Sequence, residues 1–574
     1  MCYSDDFEIN QGVIADMQFK SRFLVVAVMV LALSAVAGGI FSSRHSAQPA
    51  QADLLGYHGV TRNFSSALQV IDDHYIVTPD KERLTKASVL GMLHTLDPHS
   101  SFFDRREFNE MNEEKDSEFF GIGVTINIRN GRIYVIGVGK DMPAERAGLR
   151  YGDAIVAVDG KSAKGWTQSD ALRHVRGERL TSVDITVERV GEPEPLTMHV
   201  VRDKVPFPSV RNHFMIRPTV GYIGLTGGFN KTTSDELRSS MAELRKEGMT
   251  SLILDLRRNP GGLLRQAIQV SEEFLPQGLE ILTVRGREGR AMQVHKSTNS
   301  EPETMPLVVL INRDTASASE IVAGAIQDQD RGLIVGEESF GKGLVQQVLP
   351  LPSGTGLTLT TQRYYTPTGR SIQREYNGVG LYDYYYARRN APSETNQQPG
   401  NGQSEPAPPA TRQGKTFYTP TGREVRGGGG ISPNIAVKLP EEDVRWRDAC
   451  FEFARRLVAG VLPGLEQYKV AKTVYGYHLR GQEYALTETV LTTFRTFLRE
   501  HPGFSLTEAQ LNSNLDYVRR RIRAEVITAA YGIEVADQFL LESDVQALAA
   551  VEAIPKAKHL TDTARLFATP LERH

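Results

Sequence analysis

Cysteine is almost missing from this chain: Cys2 and Cys450 are the only two in 574 residues, so no internal disulfide framework follows. An excess of charge of one sign is missing as well. Lys plus Arg number 66 against 69 Asp plus Glu, a formal net charge of −3, and no global field gathers nucleic acid or an anionic membrane surface. The sequence contains no H-E-x-x-H and no C-x-x-C, so a metallopeptidase lacks ligands at usable spacing. The 13 histidines are scattered, and no Ser-His-Asp set emerges from them. Nothing calls for a metal or a cofactor.

Long apolar runs are also scarce. One exists, Phe23 to Phe41, without a single charge. At about 1.5 Å per residue it approaches the roughly 30 Å thickness of a bilayer's hydrocarbon. Lys20 and Arg22 precede it, and basic residues favour the cytoplasmic side, so the chain beyond it is expected outside the cytoplasm, in the periplasm of a cell envelope. Ala50-Gln51-Ala52 has the form of a signal-peptidase site but lies beyond Arg44, which favours an uncleaved anchor over a removed signal. Residues 1–16 are acidic, whereas Met17 to Arg22 reads as a basic start. The expectation is a cytoplasmic segment 1–22 and an anchor 23–41.

The remaining length is too great for one hydrophobic core. Helical spacing of Phe64, Leu68 and Ile71, then Leu84, Val89 and Leu93, predicts a helical cap module over 54–114. Short β-branched runs between glycine turns follow over 119–203. From Val220 to Thr361, within an expected core over 205–380, apolar strands alternate with amphipathic helices, which implies an α/β sheet. Residues 391–415 are poor in apolar side chains and rich in Pro, Gly, Gln and Ser, a composition that cannot offset ordering entropy. They sit within an expected insert over 381–430, bracketed by a repeat, Tyr365-Thr366-Pro367-Thr368-Gly369-Arg370 and Tyr418-Thr419-Pro420-Thr421-Gly422-Arg423. Residues 431–440 return to the core, and 441–574 read as a helical C-terminal domain.

Four segments carry chemistry. Gly121-Ile122-Gly123-Val124 precedes a strand, where unhindered backbone N–H groups can hold a terminal carboxylate while the strand edge takes up an extended peptide. Asp314-Thr315-Ala316-Ser317-Ala318-Ser319-Glu320 lies between a strand and a helix, so it exposes a hydroxyl among helix-start N–H groups. Taken alone, Ser317 with Glu320 also fits a capping box. Gly336 to Gly343 nearly spells a phosphate-binding loop, but Gly343 offers no hydroxyl to magnesium and a strand follows. Instead Lys342, between glycines and Phe340, suits a desolvated amine whose pKa falls toward that of a working base. In Asn259-Pro260-Gly261-Gly262, the unhindered N–H group of Gly261 or Gly262 is suited to a developing oxyanion.

In order, Asp97-Pro98-His99-Ser100, the PDZ-like segment with Pro143 to Leu149 and Gly152 to Ile155, Asn259 to Leu263, Ala316 to Ile321, Phe340 to Gly343 and Tyr364 to Pro367 form one set. The set resembles the C-terminal processing peptidases, or tail-specific proteases, of the S41 serine peptidase family, over about residues 55–380. The resemblance implies a multidomain α/β fold: a crotonase-like (ClpP/crotonase) α/β peptidase core over 205–380, an inserted PDZ domain over 119–203, and helical N-terminal and C-terminal additions. It implies Ser317 as nucleophile, Lys342 as base, Gln346 orienting the lysine, and the N–H groups of Gly261 and Ala318 as oxyanion hole. It further implies Gly121, Ile122, Gly123 and Val124 as the peptide-carboxylate loop. The implied partners are protein or peptide substrates with free C-termini. An adaptor or a homo-oligomer stays open, as does autoinhibition by the PDZ domain. The alternative is a catalytically silent PDZ scaffold or chaperone that binds C-termini, against which the presence of both Ser317 and Lys342 argues.

Overall fold

The computed structural model describes residues 57–568 apart from 116, 288–291 and 391–413. The expected cytoplasmic segment 1–22, the anchor 23–41 and most of the low-complexity stretch lie outside the described residues. Among the described residues, no helix is long and apolar enough to cross a membrane. The chain divides at Thr85 into two compact units. In the first, helix Tyr57–His74 is followed by the start of helix Lys81–His94, and Lys81 pairs with Asp72 at 2.8 Å. The cap module expected over 54–114 is therefore parted within its second helix. From Lys86 onward its residues belong to the second unit, where the Lys86 amine meets Asp104 and Glu107 at 2.9 and 2.5 Å.

The peptidase core is a mixed sheet. Strands Val210–Arg217, Val220–Leu225, Ser251–Asp255, Leu307–Ile311, Leu333–Gly336 and Ile435–Ala436 follow one another in that order, antiparallel for the first pair and parallel thereafter. The central strands are continuous apolar runs, such as Leu307-Val308-Val309-Leu310-Ile311, because both faces of the sheet are covered. Helices Thr233–Lys246, Leu264–Glu272 and Ala318–Asp328 line one face through Leu237, Leu244, Val270 and Val322. The other face, with Tyr222, Ile253, Val308 and Val335, is covered by the last helix, Val545–Ala568. Its buried Ala547, Ala550, Ala553 and Ala557 recur at helical spacing and let the backbone lie close against the sheet. A second sheet holds Gly356–Tyr365, Leu344–Pro350, Glu280–Arg285, Gln293–Lys296 and Ser101–Phe103.

The chain enters and leaves the PDZ domain side by side, through the antiparallel pair Glu118–Gly121 and Asp203–Pro206. Between them a second core closes around Ile122, Val135, Ile155, Val158, Ile185 and Val200. The α/β peptidase core with an inserted PDZ domain is thus as expected. The C-terminal residues are not one domain, however. Helices Val444–Ala459, Glu488–Glu500 and Leu515–Tyr531 form their own core around Phe453, Phe494 and Val526, while Val545–Ala568 completes the peptidase sheet. The first group also grips the PDZ domain. Arg129 and Asp448, both buried, pair at 3.0 Å, Tyr151 donates to Glu525 at 2.7 Å, and Arg455 Nε donates to the Gly152 carbonyl at 2.6 Å.

Of the expected insert 381–430, Leu381–Asn390 is helical, and Thr416–Tyr418 pairs with Glu424–Arg426 as a hairpin. The two repeat copies are structurally equivalent turns on the C-terminal end of helix Ala318–Asp328. In the first, Arg370 pairs with Asp328 at 2.7 Å in full burial, and Thr368 Oγ1 donates to the same carboxylate at 2.7 Å. In the second, Thr421 N–H and Arg423 Nε donate to Asp330 at 2.8 and 2.7 Å.

Candidate active site

Ser317 lies between strand Leu307–Ile311 and helix Ala318–Asp328, with φ of 56° and ψ of −116°. A non-glycine residue in that region is strained by about 1–3 kcal/mol, and the surrounding contacts must hold it there. They do. The Asn259 carbonyl accepts from Ala316 N–H at 3.0 Å and from Ser319 Oγ at 3.1 Å, Thr315 Oγ1 donates to the Leu256 carbonyl at 2.9 Å, and Glu320 accepts from Ser317 N–H at 2.8 Å. The sharp turn leaves the Ser317 side chain half-buried at the C-terminal end of the parallel strands.

Lys342 comes from the loop after strand Leu333–Gly336. Phe340 N–H donates to the Thr315 carbonyl at 2.9 Å, which ties this loop to the serine turn. The stronger tie is Glu320, fully buried on the serine helix. Its Oε1 accepts from Ser339 Oγ at 2.5 Å and Gly341 N–H at 2.7 Å, and its Oε2 from Ser317 and Lys342 N–H at 2.8 and 2.9 Å. Tyr364 adds a third tie: its hydroxyl lies 2.6 Å from the Lys342 carbonyl and 3.1 Å from that of Ser317. Lys342 Nζ donates to Gln346 Oε1 at 2.9 Å. Burial pushes the lysine pKa down, opposed by the carboxylates of Glu320 and Asp97.

Gly261 touches the same turn. Its φ is +96°, and a Cβ there would lie 2.7 Å from Ser317 Cβ and the Ala316 carbonyl oxygen and 2.9 Å from Ala318 N. Ala318 N–H, at the first position of its helix, has no acceptor within the helix and opens beside Ser317. The Gly261 N–H, in contrast, donates to Asn259 Oδ1 at 2.9 Å. The expected oxyanion donor at Gly261 is therefore engaged in this structure, because the Asn259 side chain, anchored by its Nδ2 to the Leu225 carbonyl at 2.7 Å, turns back on the loop.

The Asp97 turn is part of the site, which spacing alone did not reveal. Asp97 accepts from His99 and Ser100 N–H and from Ser100 Oγ, and this sets His99 beside Lys342. Burial, then the Lys342 charge, push the imidazole down to about 3. Its ring nitrogens are both engaged by tyrosine hydroxyls, Nε2 by Tyr384 at 2.8 Å and Nδ1 by Tyr385 at 3.2 Å, so His99 is not placed as a competing base.

In the PDZ domain, Gly121, Ile122 and Gly123 are buried at the head of strand Val124–Arg129. Gly123 has φ of +75°, and a Cβ would meet Met142 Cβ at 2.4 Å. Strand Val124–Arg129 is an edge strand in its sheet and lies along helix Gln168–Val175, so one edge of backbone donors and acceptors stands open to an added strand. The structure thus brings Ser317, Ala318, Lys342, Gln346 and Gly261 together, with Gly121 to Val124 in the separate PDZ site. Sequence reasoning saw Glu320 only as a capping partner and assigned nothing to Asn259. The three-residue spacing from Ser317 to Glu320 was the available signal.

A family model described as peptidase family S41 matches residues 219–380, and one for the PDZ domain matches 110–188. The carboxy-terminal-processing protease of Bartonella bacilliformis is 38% identical over 322 residues, covering 55% of this chain and 73% of that protein. The carboxy-terminal processing protease CtpB of Bacillus subtilis is 31% identical over 312 residues, 54% of this chain and 65% of its own. Among solved structures, the photosystem II D1 C-terminal processing protease shares 31% identity over 54% of this chain and 83% of its own, with a TM-score of 0.34.

Proposed function

This chain belongs to the S41 carboxy-terminal processing proteases, and from that premise we propose that it is a serine endopeptidase in which Ser317 attacks and Lys342 is the general base. The observation that carries the reading is the Glu320 carboxylate, which accepts from the N–H groups of both residues and fixes one against the other. The neutral Lys342 amine takes the Ser317 Oγ proton as Oγ adds to the scissile carbonyl. Ala318 N–H donates to the oxyanion, and the Gly261 N–H joins it on leaving Asn259 Oδ1. The lysine ammonium returns its proton to the leaving amine. A water, deprotonated by the same lysine, then releases the acyl group from Ser317. Gln346 holds Nζ in place through these steps.

Substrates are presented by their C-termini: the terminal carboxylate lies on the N–H groups of Gly121 to Val124, and the tail adds to the free edge of Val124–Arg129. The apolar run 23–41 tethers the enzyme to a membrane with the catalytic domains outside the cytoplasm.

The test compares the full chain with Ser317→Ala and Lys342→Ala on an unfolded protein ending in apolar residues, and on its C-terminally amidated twin. Wild type cleaves, both variants are inactive, and amidation slows cleavage. Turnover surviving in either variant refutes the dyad, and equal rates on the two substrates refute carboxylate presentation.

A further inference from the structure

The S41 match ends at residue 380, and helix Leu381–Asn390 begins at the next residue. The catalytic reading assigns this helix nothing, yet it rests on the lysine loop. It carries Tyr382, Tyr384, Tyr385 and Tyr386. The Tyr384 ring is buried, with its hydroxyl 2.8 Å from His99 Nε2 and 3.1 Å from Gln373 Nε2. The Tyr385 hydroxyl lies 2.6 Å from the Pro98 carbonyl and 3.2 Å from His99 Nδ1. These contacts form one consistent relay. Gln373 donates to Tyr384, Tyr384 to His99 Nε2, His99 Nδ1–H to Tyr385, and Tyr385 to Pro98, which assigns the neutral Nδ1–H tautomer.

The rings close over the loop itself. Tyr384 and Tyr385 have centroids 5.8 and 6.1 Å from that of Phe340, two residues before Lys342. The Arg374 guanidinium is held between Phe340 and Tyr384, 3.8 and 4.0 Å from their centroids, and donates to the Tyr384 carbonyl. On the far side of Lys342, Gly343 N–H donates to Gln373 Oε1 at 2.8 Å. The helix is thus bound to both flanks of the lysine.

Resting on the Ser317–Lys342 reading, we propose that helix Leu381–Asn390 is a wall of the active site: Tyr384 and Tyr385, seated on His99 and Phe340, keep water from the Lys342 amine and set the pH at which it works. Both tyrosines are positioning residues. The groups facing Lys342 are Glu320 from the serine helix, Gln346 from strand Leu344–Pro350, and Asp97 and His99 from the Asp97 turn, with Arg374 behind the Phe340 ring. The two carboxylates favour the ammonium and His99 is neutral, so exclusion of water is what moves the amine's pKa downward. Opening the wall hydrates the ammonium and raises the pH needed to discharge it.

The test is the pH dependence of kcat/KM for the full chain on an unfolded protein substrate, for wild type, Tyr384→Ala/Tyr385→Ala, Tyr385→Ala and Lys342→Ala. In the double variant the acid limb moves to higher pH by roughly one unit, so the rate on that limb falls about tenfold while the alkaline plateau stays within about threefold. Tyr385 is partly exposed, so Tyr385→Ala folds readily, and its limb moves the same way by about half a unit. A purely structural role lowers the plateau and leaves the midpoint in place. A Tyr385→Ala midpoint within about 0.2 unit of wild type overturns the proposal, whether or not the double variant folds. Activity surviving in Lys342→Ala overturns the dyad instead, and with the dyad intact an unmoved midpoint refutes the wall alone.

Discussion

Replacing Glu320 by Gln tests the joint between the two halves of the site. The carboxylate accepts four hydrogen bonds, two on each oxygen. An amide has one carbonyl oxygen, and its NH2 group must face one of the two donor pairs. The less costly orientation turns the NH2 toward the Oε1 side, because the Ser339 hydroxyl can rotate and accept. Gly341 N–H then has no acceptor, at about 1–3 kcal/mol, and the two bonds to Ser317 and Lys342 lose their charge assistance, at roughly 1 kcal/mol together or more. Burial raises the Glu320 pKa, so the neutral amide recovers part of the desolvation cost, and the net loss is about 2–4 kcal/mol. The same raised pKa means that wild type loses stability as pH rises through it, a component the variant lacks. The deficit of Glu320→Gln is therefore larger below the ordinary carboxylate range than above the raised pKa. Urea unfolding reads the stability, and the rate of Ser317 labelling by a fluorophosphonate reads the geometry. Labelling falls at least about 30-fold, since a displacement of an ångström between reacting groups costs on the order of a hundredfold. A variant that labels within about threefold of wild type and loses under about 0.5 kcal/mol refutes the claim that this carboxylate couples the loops.

Burial lowers the Lys342 pKa, and the base must be neutral, so wild-type kcat/KM rises with pH through a midpoint below the ordinary lysine value of about 10.4. A midpoint at or above that value contradicts the desolvated base. Gly261→Ala sets a Cβ 2.7 Å from the Ala316 carbonyl and Ser317 Cβ at φ of +96°. Neither neighbour is a flexible side-chain end, so activity falls at least about a hundredfold by steady-state kinetics. Arg129→Ala removes a buried partner of Asp448 and a cation over the Phe451 ring. Because Arg447 Nε still meets Asp448 at 3.2 Å, the variant loses less than the roughly 3–5 kcal/mol of an uncompensated buried charge in urea unfolding, and it loosens the PDZ domain from the C-terminal helices as read by amide exchange.

The strands, the PDZ insertion and the two loops that carry Ser317 and Lys342 were legible because each is local. A continuous apolar run marks a strand covered on both faces, and Gly341 and Gly343 mark where the chain must turn around Lys342. Glu320 was legible only in its local role as a capping partner for Ser317. Its bonds to Gly341 and Lys342 join residues 21 and 22 positions apart, a separation to which no periodicity points. The same limit applies to the last helix. Ala547, Ala550, Ala553 and Ala557 announce a helix with a small-residue face, and nothing in that face names the sheet on which it lies, whose strands through Gly336 are more than 200 residues earlier. Asn259 failed differently. Its side chain competes with the oxyanion for the Gly261 N–H, and Asn hydrogen-bonds readily to backbone near itself in turns.

The repeated Thr-Pro-Thr-Gly-Arg turns explain how an insert can interrupt this core beside its active site. Both copies end on carboxylates two residues apart, Asp328 and Asp330, at the end of the helix that begins with Ser317. The two ends of the insert are thereby held at one place. Closing a longer loop between fixed ends costs only about 0.6 kcal/mol for each doubling of its length, so the intervening sequence can lengthen with little strain on the sheet. One consequence falls on the site itself. The fully buried Arg370 pairs with Asp328 and donates to the Arg426 carbonyl at 2.8 Å, fixing the strand end from which Ile372, Gln373 and Arg374 return to the lysine loop. The insert therefore departs from a point that is already rigid. Its first helix, Leu381–Asn390, can rest on the lysine loop without constraint from the length of sequence that follows.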